Sequence, residues 1–146
     1  MLSLTFKLYT DGGARGNPGD AAYAFILYDD EGGKVDEGAS YIGFATNNEA
    51  EYFGLLAGLK AARDAGASSV QVIMDSELTV KQMRGEYKVK ARNLKPLAEN
   101  VRELQGDFDR VTFEHVKRDH PEISKADALL NQELDDRELL KKIKKT

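Results

Sequence analysis

Apolar and polar residues alternate along the first part of the chain in the way that is typical of β-strands. Residues 4–10 alternate at period two, and an apolar run at 21–28 follows a glycine-rich stretch at 12–19. A turn rich in Asp and Gly at 29–33 leads into a third, more exposed segment at 34–43. The pattern predicts three antiparallel strands, the first two joined by a long glycine-rich loop.

Helical periodicity replaces this alternation after residue 46. Residues 47–65 are apolar on most sides and end before Gly66, which predicts a central helix. The short apolar run at 70–74 is typical of a strand that is covered on both faces. The remaining segments predict helices at 77–84 and 94–104, a strand at 111–116 and a helix at 124–138. The order is βββαβααβα, which indicates an α/β fold.

Composition limits the kind of site that the chain can form. The 146 residues fit one domain, which we expect to span 1–138, followed by a lysine-rich, frayed tail at 139–146. Because the chain has no cysteine and two histidines, thiolate metal sites are excluded and a histidine-rich zinc site is disfavoured. Any bound metal must be held by oxygen. No segment is apolar enough to cross a bilayer and residues 1–10 lack a targeting pattern, so we expect a cytoplasmic protein without a membrane partner.

The distribution of charge matters more than its sum. The net charge of −4 and the pI of about 5.3 argue against a protein that binds nucleic acid by overall positive charge. Residues 81–95 nevertheless contain one acid, Glu86, against six basic residues, namely Lys81, Arg84, Lys88, Lys90, Arg92 and Lys95. This segment is a candidate nucleic-acid contact, and the alternative of a solvated helix face stays open.

Two acids follow predicted strands. Asp11 and Asp75 lie at carboxyl ends of strands, where sites gather in α/β sheets. Each has a structural alternative, because Asp11 before Gly12 fits a turn and Asp75 before Ser76 fits a helix cap. Neither position is decisive by itself.

Two further acids lie near the starts of predicted helices. Glu51 lies one turn into the apolar helix, where an unpaired carboxylate is unfavourable, and Asn47 and Asn48 on the same face place two amides beside it. The alternative is that Asn47 caps the helix and Glu51 favours its positive end. Asp127 closes the sequence Ser124-Lys-Ala-Asp127, which also matches a capping box. Together, four acids near element ends form the oxygen ligand set that Mg²⁺ requires.

These residues belong to motifs that resemble type 1 ribonuclease H. The motifs run from about residue 6 to about residue 135 and are Tyr9-Thr-Asp-Gly-Gly13, Gly16-Asn-Pro-Gly19, Thr46-Asn-Asn-Glu-Ala-Glu51, Met74-Asp-Ser76 and His120-Pro-Glu-Ile-Ser-Lys-Ala-Asp-Ala-Leu129. The resemblance implies the ribonuclease H-like fold, a five-stranded mixed sheet flanked by helices. This fold agrees with the predicted order of elements.

The resemblance also implies an activity. Members of the family hydrolyse the RNA strand of an RNA/DNA hybrid with two Mg²⁺ ions and leave 5′-phosphate and 3′-hydroxyl ends. By this resemblance Asp11 would bridge both ions, Asp127 would bind the ion on the side of the attacking water, and Glu51 and Asp75 would serve the leaving-group side. We expect the protein to be a monomer and to bind the RNA/DNA hybrid. Mn²⁺ is expected to be able to replace Mg²⁺.

The resemblance implies substrate contacts as well. Backbone groups at Gly12 and Gly13 and the side-chain amide of Asn47 would contact 2′-hydroxyls, while Thr46 would help to hold a phosphate of the DNA strand. An amide suits a 2′-hydroxyl, which both donates and accepts. For the two glycines the alternative of ordinary turn residues stays open.

The chain departs from the family's pattern in two places. Many members carry a mobile histidine ahead of the last acid, but here His120 matches a different histidine, so Arg118, Lys117 or His120 could take its role, and we expect Arg118. His115 lies inside a predicted strand, where a structural histidine is the expected case. The basic protrusion with which many members grip the hybrid is short or missing, and residues 81–95 occupy its region.

Two alternative functions stay open. The same fold could act on another substrate, such as double-stranded RNA or a single strand. The chain could also be a non-catalytic module that binds hybrids. The presence of all four carboxylates disfavours the second alternative.

Overall fold

The computed structural model describes residues 4–145, which form five strands and four helices. The strands are β1 (Thr5–Arg15), β2 (Gly19–Tyr28), β3 (Lys34–Ala45), β4 (Ser69–Met74) and β5 (Arg110–His115). The helices are α1 (Asn47–Asp64), α2 (Glu77–Met83), α3 (Lys95–Gln105) and α4 (Pro121–Lys144). This order confirms the predicted βββαβααβα.

β1 lies at the centre of the mixed sheet that the five described strands form in the order β3-β2-β1-β4-β5. It pairs antiparallel with β2 and parallel with β4, and β5 is parallel to β4. The predicted glycine-rich loop at 12–19 is wrong, because Gly12 and Gly13 pair with β2 and the strand continues to Arg15. Glycine suggests a loop in the sequence, yet here its lack of a side chain allows other elements to approach an extended strand.

The two faces of the sheet carry separate apolar layers, because alternate residues of a strand point to opposite sides. On one face, residues such as Leu8 and Val72 pack in the cluster that α1, α2 and α3 share. On the other face, Leu130 of α4 packs against Ala24 and Ile26 of β2. As a result, α1 and α4 lie on opposite sides of β1.

The ends of α1 follow from local chemistry. The hydroxyl of Thr46 accepts a 3.1 Å hydrogen bond from the N–H of Glu49, and the N–H of Thr46 donates to the Glu49 carboxylate at 2.9 Å. Thr46 is therefore the cap, and the alternative that assigned this role to Asn47 is wrong. At the other end, Gly66 has a φ of 86°, in the left-handed region that glycine favours and that commonly follows a helix.

α4 is longer than the sequence predicts. It begins at Pro121 and not at residue 124, and His120 is its cap. Proline fits the first helical turn because the N–H that it lacks would have no partner within the helix. The helix continues to Lys144, and the expected fraying of the lysine-rich tail stays a prediction. No helix within residues 4–145 combines the length and the apolar character needed to span a bilayer.

Candidate active site

The register of β1 and β4 brings two of the acids together. Tyr9 and Ile73 are directly paired in the parallel ladder, and Asp11 and Asp75 each lie two residues further along. Since side chains repeat on one face at period two, the two carboxylates lie side by side at the carboxyl end of β4. Glu51 joins them from α1, and one oxygen atom from each of the three acids lies within 4.8 Å of the others.

A close contact between β1 and α1 holds Glu51 in this group. A Cβ atom on Gly12 would lie 2.3 Å from the carbonyl carbon of Ala50, so any other residue here would push α1 away. The close approach lets the N–H of Gly12 donate a 2.7 Å hydrogen bond to Oε1 of Glu51. The sequence places the amides of Asn47 and Asn48 beside this carboxylate, but the hydrogen bond that its Oε1 accepts comes from the backbone of Gly12.

The structure removes the structural alternatives for the other three acids. Asp11 lies inside β1 and not in a turn. The cap of α2 is Ser76, whose hydroxyl accepts a hydrogen bond from the N–H of Thr79, so Asp75 is not a cap. Asp127 lies within α4 and not at its start, so it takes no part in a capping box.

Burial and mutual repulsion make the charged form of this cluster unfavourable. Asp11 and Glu51 are each 6% exposed. Burial and the charge of Asp75 raise the pKa of Asp11 to about 7, and burial with the charges of Asp11 and Asp75 raises the pKa of Glu51 well above its usual value. Burial also raises the pKa of Asp75. A divalent cation would relieve this repulsion by neutralising the carboxylates.

Asp127 approaches the cluster on a separate element. α4 carries this half-buried acid to an open cavity of about 420 Å³, which the other three acids also line. Its charge contributes to the raised pKa of Asp11. Among the described residues, the group within 4.8 Å does not include it. The cavity thus presents three carboxylates in close contact and a fourth whose position depends on α4.

Comparisons with known proteins place the chain in a family. The family described as "Reverse transcriptase-like" matches residues 9–132, a span that contains all four acids. The ribonuclease HI of Halobacterium salinarum is 44% identical over 128 residues, which are 88% of this chain and 63% of that protein. A crystal structure of RNase H1 from Halobacterium salinarum superposes with a TM-score of 0.85 at 42% identity, covering 90% of this chain and 98% of that chain. The chain belongs to the type 1 ribonuclease H family.

Two further proteins are similar to this chain, one in sequence and one in a structure that contains an RNA/DNA hybrid. The bifunctional protein Rv2228c of Mycobacterium tuberculosis is 43% identical over 126 residues, which are 86% of this chain and 34% of that protein. The structure of LC11-RNase H1 in complex with RNA/DNA hybrid has a TM-score of 0.84 at 37% identity and covers 90% of this chain and 98% of that chain. The present chain spans 63% and 34% of the two curated relatives, less than two thirds of their length.

Asn47, the amide that the ribonuclease H resemblance assigns to substrate, is fixed at the cavity wall. Its side-chain oxygen accepts a 2.8 Å hydrogen bond from the N–H of Ala14. Its own N–H donates at 3.0 Å to the side-chain oxygen of Asn17. Both contacts come from the β1–β2 hairpin, which therefore holds the start of α1 beside the acids.

The other predicted substrate residues are divided. Gly12 and Gly13 line the cavity, although the N–H of Gly12 is already bonded to Glu51. Thr46 is not part of the cavity lining, and its hydroxyl accepts the capping hydrogen bond of α1. Contacts of these residues with a ribonuclease H substrate stay predictions.

The segment between β5 and α4 separates the three candidates for a role in turnover. Arg118 lines the cavity, and its positive charge counteracts the rise in the pKa of Asp75. The ring of His120 lies 5.4 Å from that of Tyr9, and its Nδ1 accepts a hydrogen bond at the start of α4. Lys117 is exposed and is not among the lining residues. Position favours Arg118, whose role stays a prediction.

Two residues that shape the cavity have no role predicted from the sequence. Asn17 binds the start of α1, and its signal is the motif Gly16-Asn-Pro-Gly19, which the resemblance identifies without assigning the asparagine a task. Arg15 lines the cavity and binds α4. Its even spacing from Tyr9 and Asp11 would place all three side chains on one face of a strand. This spacing is not recognised because Gly12 and Gly13 suggest a loop instead of a continuing strand.

Proposed function

We propose that this chain is an endoribonuclease that hydrolyses the RNA strand of RNA/DNA hybrids with two bound Mg²⁺ ions. The observation that carries the proposal is the convergence of Asp11, Glu51, Asp75 and Asp127 on an open cavity whose wall also holds Asn47. The hybrid complex of LC11-RNase H1, on which this fold superposes, supports the substrate class. The products would carry 5′-phosphate and 3′-hydroxyl ends.

The donor set fits hard divalent cations. The cavity lining contains four carboxylates and neither histidine nor cysteine, and oxygen is the ligand atom that Mg²⁺ and Mn²⁺ prefer. Oε2 of Glu51 is buried and has no hydrogen-bond partner among the described residues, an arrangement that a bound cation would satisfy. Asp11, Glu51 and Asp75 would hold one ion, and Asp11 would share the second with Asp127.

The chain's own residues supply the positioning. Divalent ions held by these four residues would activate the attacking water and stabilise the leaving 3′ oxygen. The strand register holds Asp11 beside Asp75, and the N–H of Gly12 holds Glu51. Because these supports are backbone contacts of regular elements, Asp11, Glu51 and Asp75 are ordered before substrate arrives. Arg118, exposed beside the acids, would assist turnover by attracting the phosphate of the product.

Discrimination between ribose and deoxyribose would come from Asn47. Its side-chain oxygen is occupied by Ala14, so its amide nitrogen is the group that can donate to a 2′-hydroxyl. DNA lacks this acceptor. Gly12 and Gly13 carry no side chains and would let the sugar approach the strand. Thr46 would donate its hydroxyl hydrogen to a phosphate of the DNA strand.

The basic segment at 81–95 divides into two groups. Lys81 pairs with Glu77, and Arg84 donates a 2.8 Å hydrogen bond to the carbonyl of Phe113, so both stabilise the fold. Lys88, Lys90, Arg92 and Lys95 are exposed and have no acidic partner in the described part of the chain, and the first three lie together in the segment between α2 and α3. We infer that these three contact phosphates of the hybrid, in the region where other members carry a basic protrusion.

A substrate panel tests the proposal. The protein is incubated with Mg²⁺ and end-labelled RNA/DNA hybrid, RNA duplex, DNA duplex or single-stranded RNA, and the cut strand and its ends are identified. We expect cleavage of the RNA strand of the hybrid, and loss of cleavage but not of hybrid binding in Asp11→Asn. The exposed Asp30→Asn is the matched control. Normal cleavage by Asp11→Asn would contradict the two-ion proposal.

The same panel separates the alternatives. Preferential cleavage of RNA duplex or single strands would indicate a nuclease of this fold with another substrate. Binding of the hybrid without cleavage in either Mg²⁺ or Mn²⁺ would indicate a binding module. A monomeric state and a cytoplasmic location stay predictions, to be checked by light scattering and by cell fractionation.

A further inference from the structure

One face of β1 carries Tyr9, Asp11, Gly13 and Arg15 at alternate positions. This face is turned towards α4, since a Cβ atom on Gly13 would lie 3.8 Å from Leu130 of that helix. Asp11, the central acid of the cluster, thus lies between two side chains of the same strand. Both of these flanking side chains contact α4, one on each side of Asp127 along the helix.

The first contact fixes the start of α4. The ring of Tyr9 lies 5.4 Å from that of His120, which caps the helix. The hydroxyl of Tyr28 on β2, whose ring packs edge-on against Tyr9, donates to the carboxylate of Glu122 in the first turn. These contacts hold α4 on the N-terminal side of Asp127, and the apolar side chains of Ala126 and Leu130 pack the helix on β2.

Arg15 makes the second contact, beyond Asp127. Its guanidinium donates at 2.7 Å to Glu138 and at 2.7 Å to Asp135, and at 3.1 Å to the side-chain oxygen of Asn131. Asn131 in turn donates at 2.9 Å to the backbone carbonyl of Asp127. A continuous path of hydrogen bonds therefore links the end of β1 to the residue that carries the fourth carboxylate.

The form of this contact suits positioning better than stability. The side chains of Asp135 and Glu138 are 61% and 51% exposed, and ion pairs between exposed groups contribute little to the free energy of unfolding. A planar guanidinium that donates to three acceptors does, however, restrict the orientation of the helix. The family match ends at residue 132, and both acids lie beyond it. The contact therefore joins Arg15, which is inside the matched region, to residues outside it.

We propose that Arg15 is a positioning residue that holds α4 against β1 so that Asp127 faces the other three acids. The inference rests on the function proposed above in one respect, that Asp127 is a metal ligand. Because Arg15 already contacts two carboxylates, it acts through α4 and not on the substrate. Loss of this contact would leave Asp11, Glu51 and Asp75 in place and displace Asp127 alone among the four acids.

Metal binding without substrate tests the inference. Mn²⁺ binding is measured by calorimetry for wild type, Arg15→Leu, Asp127→Asn and the double variant. We expect Arg15→Leu to weaken Mn²⁺ binding about tenfold, at the lower end of what outer partners of metal ligands contribute. In the Asp127→Asn background Arg15→Leu should have no further effect, because the ligand that it positions is gone. The double variant D135N/E138Q, which removes the two acidic acceptors on the helix but leaves Asn131, should weaken Mn²⁺ binding in the same direction as Arg15→Leu.

A matched control lies on the same helix. Lys141 pairs with Asp20 of the same hairpin, further from Asp127, so Lys141→Met removes a comparable ion pair and should change Mn²⁺ affinity less than about twofold. The inference is overturned if Arg15→Leu and D135N/E138Q leave Mn²⁺ affinity unchanged, if Asp127→Asn does not abolish their effect, or if Lys141→Met weakens binding equally. Failure of the proposed function would give a different result. The wild-type protein would not cleave the hybrid, while the Mn²⁺ affinities of the wild type and the variants would still follow the expected pattern.

Discussion

Removing the charge of Asp11 should stabilise the metal-free protein while it abolishes cleavage. Burial and neighbouring acids raise the pKa of Asp11 from 3.8 to about 7. Because the folded-state pKa lies above the unfolded value, the folded protein binds more protons between these limits, and its stability falls as pH rises through this window. At about 1.4 kcal/mol per pKa unit, the loss above neutral pH is at most roughly 4 kcal/mol, and it disappears well below the unfolded pKa.

Asp11→Asn keeps the shape of the side chain and removes its charge, so it measures this loss directly. Urea denaturation in EDTA should give the variant up to roughly 4 kcal/mol more stability than wild type at about pH 8, and a much smaller gain at about pH 4.5. The exposed Asp30→Asn should show neither change. Mg²⁺ should narrow the difference, because it stabilises the wild type preferentially. A variant that is no more stable at pH 8, or equally stabilised at both pH values, would refute the electrostatic account.

Three other changes follow from the geometry of the site and its surroundings. Gly12→Ala should lower the free energy of unfolding by about 2–3 kcal/mol because its Cβ overlaps α1, whereas Gly13→Ala, whose Cβ has 3.8 Å of space, should change it little in the same urea titration. Thr46→Ala should lower stability by about 1 kcal/mol through loss of the α1 cap, and Thr46→Ser should restore it. Fluorescence anisotropy of a labelled hybrid gives the slope of log affinity against log salt concentration. Neutralising three basic residues of the 81–95 segment together should make this slope shallower by up to about 3. An unchanged slope would exclude these residues from the interface. The residues to neutralise are Lys88, Lys90 and Arg92.

The elements of the fold are predictable where the hydrophobic period is long and its ends have local signals. The helix before Gly66 ends where the sequence indicates, because a left-handed residue interrupts any helix. The sequence misleads at Gly12 and Gly13, where glycine serves tight packing of a strand and not a turn. It also misplaces the start of α4, since the capping pattern at 124–127 is overridden by Pro121 and the preceding His120.

For the site, the sequence identifies the four acids but not what holds them. Asp75 is recognisable because it follows β4, and Asp11 because it follows the alternating stretch at 4–10, although β1 itself continues to Arg15. The parallel pairing of the two strands brings the two acids together. The partner of Glu51 is the backbone of Gly12, a contact between distant segments that no local pattern records. The role of Arg15 depends on Asp135 and Glu138, which become its neighbours only when α4 packs on the sheet.

The sheet separates Glu51 and Asp127 into two helical layers, which should open independently. Glu51 belongs to the layer of α1, which shares the larger apolar cluster, whereas Asp127 belongs to α4 on the opposite face, which packs on a smaller one. Segments with fewer buried apolar contacts open at a lower free-energy cost, so their amide hydrogens exchange faster. Amides of α4 should therefore exchange before those of α1, and each opening of α4 would remove Asp127 from the cation site while the other three carboxylates stay in place. Hydrogen exchange measured segment by segment would therefore report the fraction of time for which all four ligands are in place.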